Sequence, residues 1–93
     1  MIRSFKSREA ELIFKRDFSK KLPNNIQPRA RRKLVMLHNA RMLNDLRVPP
    51  ANRLEVLSGT RRGQLSIRIN DQWRICFVWS KGDAYDVEIV DYH

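Results

Sequence analysis

Asp91, Tyr92 and His93 set a carboxylate, a phenol and an imidazole side by side in this 93-residue chain. Four arginines, Arg61, Arg62, Arg68 and Arg74, precede them in the same half of the sequence. Together these are the parts for metal-free phosphodiester transfer on RNA. There the ribose 2′-hydroxyl is itself the nucleophile. It needs a base to take its proton, an acid to protonate the leaving 5′ oxygen, and cations to stabilise the pentacoordinate charge. Positioned acid–base groups contribute roughly 10²- to 10⁴-fold, and preorganised cations add electrostatic stabilisation. A histidine that titrates near neutrality suits either proton role. The residues alone leave plainer alternatives open. The ending reads equally as a polar tail, and the arginines as a solvated sheet face or as cross-strand ion pairs.

Other chemistries have weaker support. His38 falls in the middle of an expected helix, and no second histidine lies near His93 in sequence. There is no Asp/Glu cluster suited to magnesium and no glycine-rich phosphate loop. No metal or cofactor is therefore expected. The single cysteine, Cys76, rules out an internal disulfide framework or a cysteine metal cluster and reads as a small strand residue between Ile75 and Phe77. The length fits one domain spanning 1–93. Hydrophobic content of 42% and charged content of 31% describe a globular chain. No apolar run approaches the roughly 18 residues of a membrane span, and Met1 to Lys6 lacks the apolar core of a secretory signal. A reduced, cytoplasmic setting without membrane attachment follows as the expectation. The charge of +9 and the pI near 10.6 point to a polyanionic partner. RNA, DNA and a ribonucleoprotein surface all qualify, and an acidic protein also fits.

The elements that position these groups follow from periodicity. Residues Ile2 to Phe5 suit a short strand. Ser7 is a plausible N-cap, with Glu9 and Glu11 in the positive first turn of a helix that runs to about Phe18. Ala10, Ile13, Phe14 and Phe18 give it an apolar stripe. Residues 19–26 form a loop. Pro28 suits the first turn of a second helix, expected to reach about Leu46, with Ala30, Leu34, Leu37, Ala40 and Leu43 facing inward. Pro49-Pro50 then forces an extended linker. From Arg53 the period becomes two. Leu54 to Leu57 read as a short strand, followed by a basic loop bracketed by Gly59 and Gly63. Leu65 to Asn70, Trp73 to Trp79 and Tyr85 to Val90 then alternate, joined by turns at 70–72 and 81–83. Short turns make these strands an antiparallel meander. The expected fold is therefore α+β, with two N-terminal helices packed on one face of a three- to four-stranded antiparallel sheet. Tyr85, Val87 and Ile89 fall in one alternation phase. Ser66, Arg68, Arg74, Cys76, Glu88 and Val90 fall on the second face.

The segments Leu57-Ser58-Gly59-Thr60-Arg61-Arg62-Gly63, Ser66 to Ile75 with its Gln72-Trp73-Arg74, and Val87 to His93 resemble the HigB toxins of the RelE/ParE superfamily. The likeness runs over essentially the whole chain and begins at Met1 to Phe5. It implies a RelE-like fold and a ribosome-dependent endoribonuclease that cleaves messenger RNA in the ribosomal A site. It implies partnership with a helix-turn-helix antitoxin of the HigA type, with the ribosome and its messenger RNA, and with operator DNA only through the antitoxin complex. By the same resemblance Asp91, Tyr92 and His93 are catalytic. Asp91 is the leading base, His93 the acid, or the reverse. Arg74 joins this catalytic set as the phosphate contact, with Arg61 beside it, and the residue pattern itself adds Arg62 and Arg68 as expected RNA-binding residues. Some relatives carry a catalytic lysine immediately before the loop glycine, where this chain has Ser58. Competing functions on similar grounds are a ParE-like gyrase poison of the same fold and a non-enzymatic basic nucleic-acid-binding module.

Overall fold

The alternation that begins at Leu65 becomes an antiparallel sheet in the computed structural model, which describes residues 1–91. Strands β1 (Glu55–Val56), β2 (Leu65–Arg68), β3 (Trp73–Ser80) and β4 (Asp83–Asp91) lie in the order β1-β2-β3-β4. Two α-helices precede them, α1 (Arg8–Phe14) and α2 (Gln27–Asn39). The α+β class follows the expectation, and the strand number is its upper value. Both hairpin turns fall where the sequence places them. Asn70 Oδ1 accepts the backbone N–H groups of Gln72 and Trp73 at 2.9 and 2.8 Å, closing the first. In the second, Lys81 and Gly82 both have positive φ, 51° and 83°. That mirror-image turn matches the twist of the flanking strands.

Strict alternation fails at one point. The pairs Cys76↔Glu88 and Val78↔Tyr85 bracket a bulge in β4, where Asp86 adopts φ 53°. The extra residue shifts the phase of the first half of the strand. Ala84, opposite Trp79, takes the core position, and Tyr85 pairs with Val78 and is 37% exposed. Tyr85 therefore does not share a face with Val87 and Ile89, as plain period two predicts. The second half of β4 keeps the expected phase. The core face packs Ile67, Ile75, Phe77 and Val87 against Ala30, Leu34 and Leu37 of α2. Fully burying one such aliphatic or aromatic side chain contributes about 1.5–3 kcal/mol.

Both helices stop earlier than expected, for local reasons. Ser7 caps α1 as foreseen, its Oγ accepting the Ala10 N–H at 3.3 Å. At the other end Arg16 turns left-handed at φ 65°. The Arg16 N–H then reaches the Ile13 carbonyl at 3.1 Å, and the Asp17 N–H the Leu12 carbonyl at 2.8 Å. This double closure ends a helix. Phe18 thus leaves the stripe and is 58% exposed. In α2 the chain becomes extended at Ala40. The Asp45 carboxylate accepts the N–H groups of Arg41 and Met42 at 3.0 and 3.1 Å, starting a 3₁₀ turn over Leu43–Arg47. These backbone hydrogen bonds hold the Asp45 carboxyl below its usual range. A short polar side chain that captures nearby N–H groups competes directly with helix continuation. Buried Gln27 ties down the connecting loop. Its Oε1 accepts the Ser19 N–H, and its Nε2 donates to the Ser19 and Leu22 carbonyls. No helix among the described residues is long and apolar enough to cross a membrane.

The N-terminal segment covers the outer edge of β4. Ile2 and Phe5 form parallel bridges to Ala84 and Val87 in place of a separate strand. An edge paired in this way is closed to adventitious strand addition. His38 supports the segment from α2, its Nδ1 accepting the Ile2 N–H at 3.1 Å. Asp83 anchors the same segment through Arg3 Nε at 3.2 Å. Burial alone raises the Asp83 carboxyl, but the Arg3 hydrogen bond and charge, with the terminal ammonium, outweigh it and leave the group below the usual range. A carboxyl lowered in the folded state adds stability above its unfolded value, about pH 4. That stability disappears as pH falls through the folded value. Melting temperature should therefore drop less between about pH 6 and pH 3 in Asp83→Asn than in the unmodified chain. Equal drops would show that the ion pair adds nothing.

Candidate functional site

Period two places Arg74 on the sheet face away from the helices, but the face is not an open arginine-lined surface. Ser66 and Cys76 are fully buried there, and Arg74 is only 7% exposed. Arg74 Nε donates to Ser66 Oγ at 2.7 Å, and Nη2 donates to the Arg53 carbonyl at 2.6 Å. Its Nη1 lies 3.7 Å from a Glu55 oxygen. The guanidinium thus joins β3, β2 and the segment entering β1. Arg53 has φ 45°, a conformation that costs an L-residue about 1–2 kcal/mol, and the Arg74 bond helps to hold it. The loop that contains the 3₁₀ turn Gly59–Arg61 leans on this face. Arg61 Nη1 reaches Glu88 Oε2 at 3.2 Å and Gln64 Oε1 at 3.0 Å. Lys6 joins Glu88 from the N-terminal segment at 3.6 Å. Burial raises the Cys76 thiol above its usual range, an effect that Glu88 reinforces and that Arg61, Arg74 and Lys6 oppose. Cys76 is a buried packing residue here, as the sequence suggests.

The sheet register gathers several of the expected site residues at one end. Arg68 stands directly opposite Arg74, and Arg74 opposite Val90, so two cations and the end of β4 lie in one row. Like charges directly opposite on a sheet are destabilising. Arg68 carries a partial compensation, an ion pair with the exposed Asp71. Asp91 follows Val90 and pairs with Trp73. Gln72 Nε2 donates to Asp91 Oδ2 at 3.2 Å. The turn that closes the β2–β3 hairpin therefore also positions the carboxylate. Arg62 is exposed, and among the described residues it makes no ion pair. Tyr92 and His93, the other two residues of the expected acid–base set, lie outside the described residues. Ser58 is exposed and contributes a hydroxyl before the loop glycine.

A second group of cations lies at the opposite side of this row. A cavity of about 210 Å³ is lined by Arg29, Arg32 and Lys33 of α2, by Arg68 and Ile69 at the end of β2, and by Ala51. Partial burial lowers the Lys33 ammonium below its usual range, and Arg29, Arg32 and Arg68 push it down further. Lys33 Nζ also donates to Asn52 Oδ1. Nothing in the sequence alone brings these helix residues to Arg68. The spacing i, i+3, i+4 of Arg29, Arg32 and Lys33 puts them on one helix face; their meeting with β2 is a tertiary fact. Among the described residues no three His, Cys, Asp or Glu side chains come together as a metal-binding group.

Comparison with known proteins bears on the whole chain. Residues 3–93 match the family described as the RelE-like toxin of type II toxin–antitoxin system HigB. The chain is 40% identical over 85 residues to Toxin HigB-1 of Vibrio cholerae, covering 90% of each protein. It is 32% identical over 93 residues to Endoribonuclease HigB of Proteus vulgaris, covering 100% of both. Among solved structures, a chain of the YoeB–YefM complex from Staphylococcus aureus superposes with a TM-score of 0.56 at 16% identity, over 100% of this chain and 98% of that one. At that identity the likeness concerns the fold, which is RelE-like. The meander, the helices before it and the family match converge: this chain belongs to the HigB family of RelE-like toxins of type II toxin–antitoxin systems.

Proposed function

We propose that residues 1–93 form a single toxin domain that cleaves messenger RNA on translating ribosomes in the cytoplasm and so arrests growth. The observation that carries the reading is the gathering of Arg68, Arg74 and Asp91 at one end of the sheet, with the two arginines facing each other in one row and the carboxylate in the adjoining row, opposite Trp73 and held by Gln72. The relative named Endoribonuclease HigB matches over the full length and supports the same chemistry. Asp91 takes the proton of the ribose 2′-hydroxyl. The 2′ oxygen bonds to phosphorus as the bond to the 5′ oxygen breaks, and His93 protonates the leaving oxygen. The products are a 2′,3′-cyclic phosphate and a 5′-hydroxyl end, with no metal or cofactor consumed. Tyr92 orients the base or stacks on a nucleotide. Arg74 contacts the scissile phosphate through Nη1, the nitrogen nearest the half-exposed Glu55. Of the two loop arginines, Arg62 best supplies the charge that Ser58 lacks, because Arg61 is engaged by Glu88. The partner is a helix-turn-helix antitoxin of the HigA type, and operator DNA is bound only through that complex.

The test is controlled expression in a bacterium, with messenger RNA ends mapped at ribosomes. New 5′-hydroxyl ends inside translated codons, appearing with growth arrest, are the expected result. Intact messenger RNA together with chromosomal breaks would overturn the reading in favour of a gyrase poison. Intact RNA and intact DNA would leave a binding module.

A further inference from the structure

We propose that the cavity between α2 and the end of β2, lined by Arg29, Arg32, Lys33 and Arg68, is a binding site for a backbone phosphate of RNA, separate from the acid–base terminus. The site rests on the RNA reading above and adds to it a second point of attachment.

Four cations line one small cavity. Among the described residues, Asp71 on Arg68 is the sole carboxylate within ion-pair distance of any of them. Like charges at i, i+3 and i, i+4 destabilise a helix. Arg29 also sits in the first turn of α2, which holds no acidic residue, and the helix dipole is positive there. The isolated chain therefore carries several small penalties in one place, and an anion seated in the cavity reverses all of them.

Lys33 is held by the Oδ1 of Asn52, a fully buried side chain whose Nδ2 donates to the Leu46 carbonyl at 3.1 Å. The ammonium is thus fixed before a ligand arrives, which reduces the ordering cost of binding. Arginine forks match the oxygens of a phosphate in pairs, and lysine adds a point charge. Arg68 lines this cavity and also stands opposite Arg74 in the sheet. One strand of RNA lying along that row would place one phosphate in the cavity and another at Arg74, at the end of the sheet that also carries Asp91.

The experiment measures binding without cleavage. A short 2′-O-methyl RNA oligonucleotide lacks the nucleophilic hydroxyl, and its affinity is followed by fluorescence anisotropy between about 50 and 200 mM salt. The double variant Arg29→Gln/Arg32→Gln should bind roughly tenfold more weakly, and the slope of log K against log salt should fall by about 1.4, the value for two single-strand phosphate contacts. Arg8→Gln/Lys21→Gln removes the same charge from the groove beside α1 and should leave the slope unchanged. Inorganic phosphate at matched ionic strength should displace RNA from the unmodified chain and not from the cavity variant. Melting temperatures of both variants check the fold, which exposed Arg29 and Arg32 do not support. A cavity variant with the slope of the unmodified chain overturns the proposal. So does saturation by micromolar inorganic phosphate, which makes a free anion the ligand, or polyglutamate competing as well as RNA of equal charge, which makes the cavity an acidic-peptide site. If the unmodified chain cleaves messenger RNA in cells but does not bind the oligonucleotide, the cavity assignment falls and the nuclease stands. If it does neither, both fall.

Discussion

Replacing Arg74 with methionine is expected to lower folding stability by roughly 3 kcal/mol and to abolish growth arrest. The side chain is nearly buried and donates to Ser66 Oγ and to the Arg53 carbonyl. Methionine fills part of the volume and satisfies neither acceptor. A hydrogen bond from a charged donor contributes about 1.5–3 kcal/mol, and an abandoned buried acceptor adds its own desolvation cost. The left-handed Arg53 loses its tie at the same moment. A small domain has only about 5–15 kcal/mol in total, so the variant folds with a much reduced margin. Loss of activity by itself would then say little about phosphate contact. Arg74→Lys separates the two roles. Lysine keeps the charge but cannot span Ser66 and Arg53 together. If Arg74 acts only as a tie, lysine activity should follow its melting temperature and recover on cooling. If Nη1 also meets the scissile phosphate, cleavage should stay low at a temperature where the lysine variant is fully folded. Full activity of Arg74→Met at a temperature where it is folded would remove this residue from the site.

Arg74 also shows where sequence reading stops. Alternation correctly assigns it to the second face, along with Ser66 and Cys76. Period two carries no information about whether that face is wet. Here the loop after Leu57 and the N-terminal segment both send cations to Glu88, and the face closes over small residues. The same limit explains the helix ends. Apolar spacing carries the stripe of α2 past Ala40 to Leu43, and Leu43 does pack on the core. The backbone between them is not helical, because Asp45 captures the N–H groups that a continuing helix would use. In β4 the sequence contains no glycine at the bulge, since Asp86 itself takes the positive φ. Aspartate tolerates that region better than most residues, which is the faint signal available. The strand order, the two turns and the shared face of Arg68, Arg74 and Val90 were legible because each depends on neighbours in sequence. The joining of α2 to Arg68 was not, because it depends on how a helix lies across a sheet edge.

Asp91→Asn should reduce messenger RNA cleavage by roughly two to four orders of magnitude while changing stability by no more than about 0.5 kcal/mol. Asparagine keeps the shape of the side chain and can still accept from Gln72 Nε2. What it loses is the charge and the capacity to take a proton, so the substitution isolates chemistry from packing. The carboxylate is exposed at the end of β4, where neutralising a charge disturbs little of the fold. Gln72→Ala tests positioning rather than proton transfer. It frees the carboxylate from one donor without altering its charge, and its cost should be several-fold at most. The order Asp91→Asn far below Gln72→Ala, with both near the parent in melting temperature, is the pattern of a base held by a neighbour. The reverse order would make the turn at 70–72 the important element and Asp91 a spectator. The pH dependence adds a further discrimination. If Asp91 is the base and His93 the acid, His93→Ala should remove the alkaline limb of the rate profile, because that limb reports loss of the protonated acid. If the roles are exchanged, the same variant should remove the acidic limb. Growth arrest that survives both Asp91→Asn and His93→Ala would exclude this end of the sheet as the catalytic centre, whatever the arginine row beside it binds.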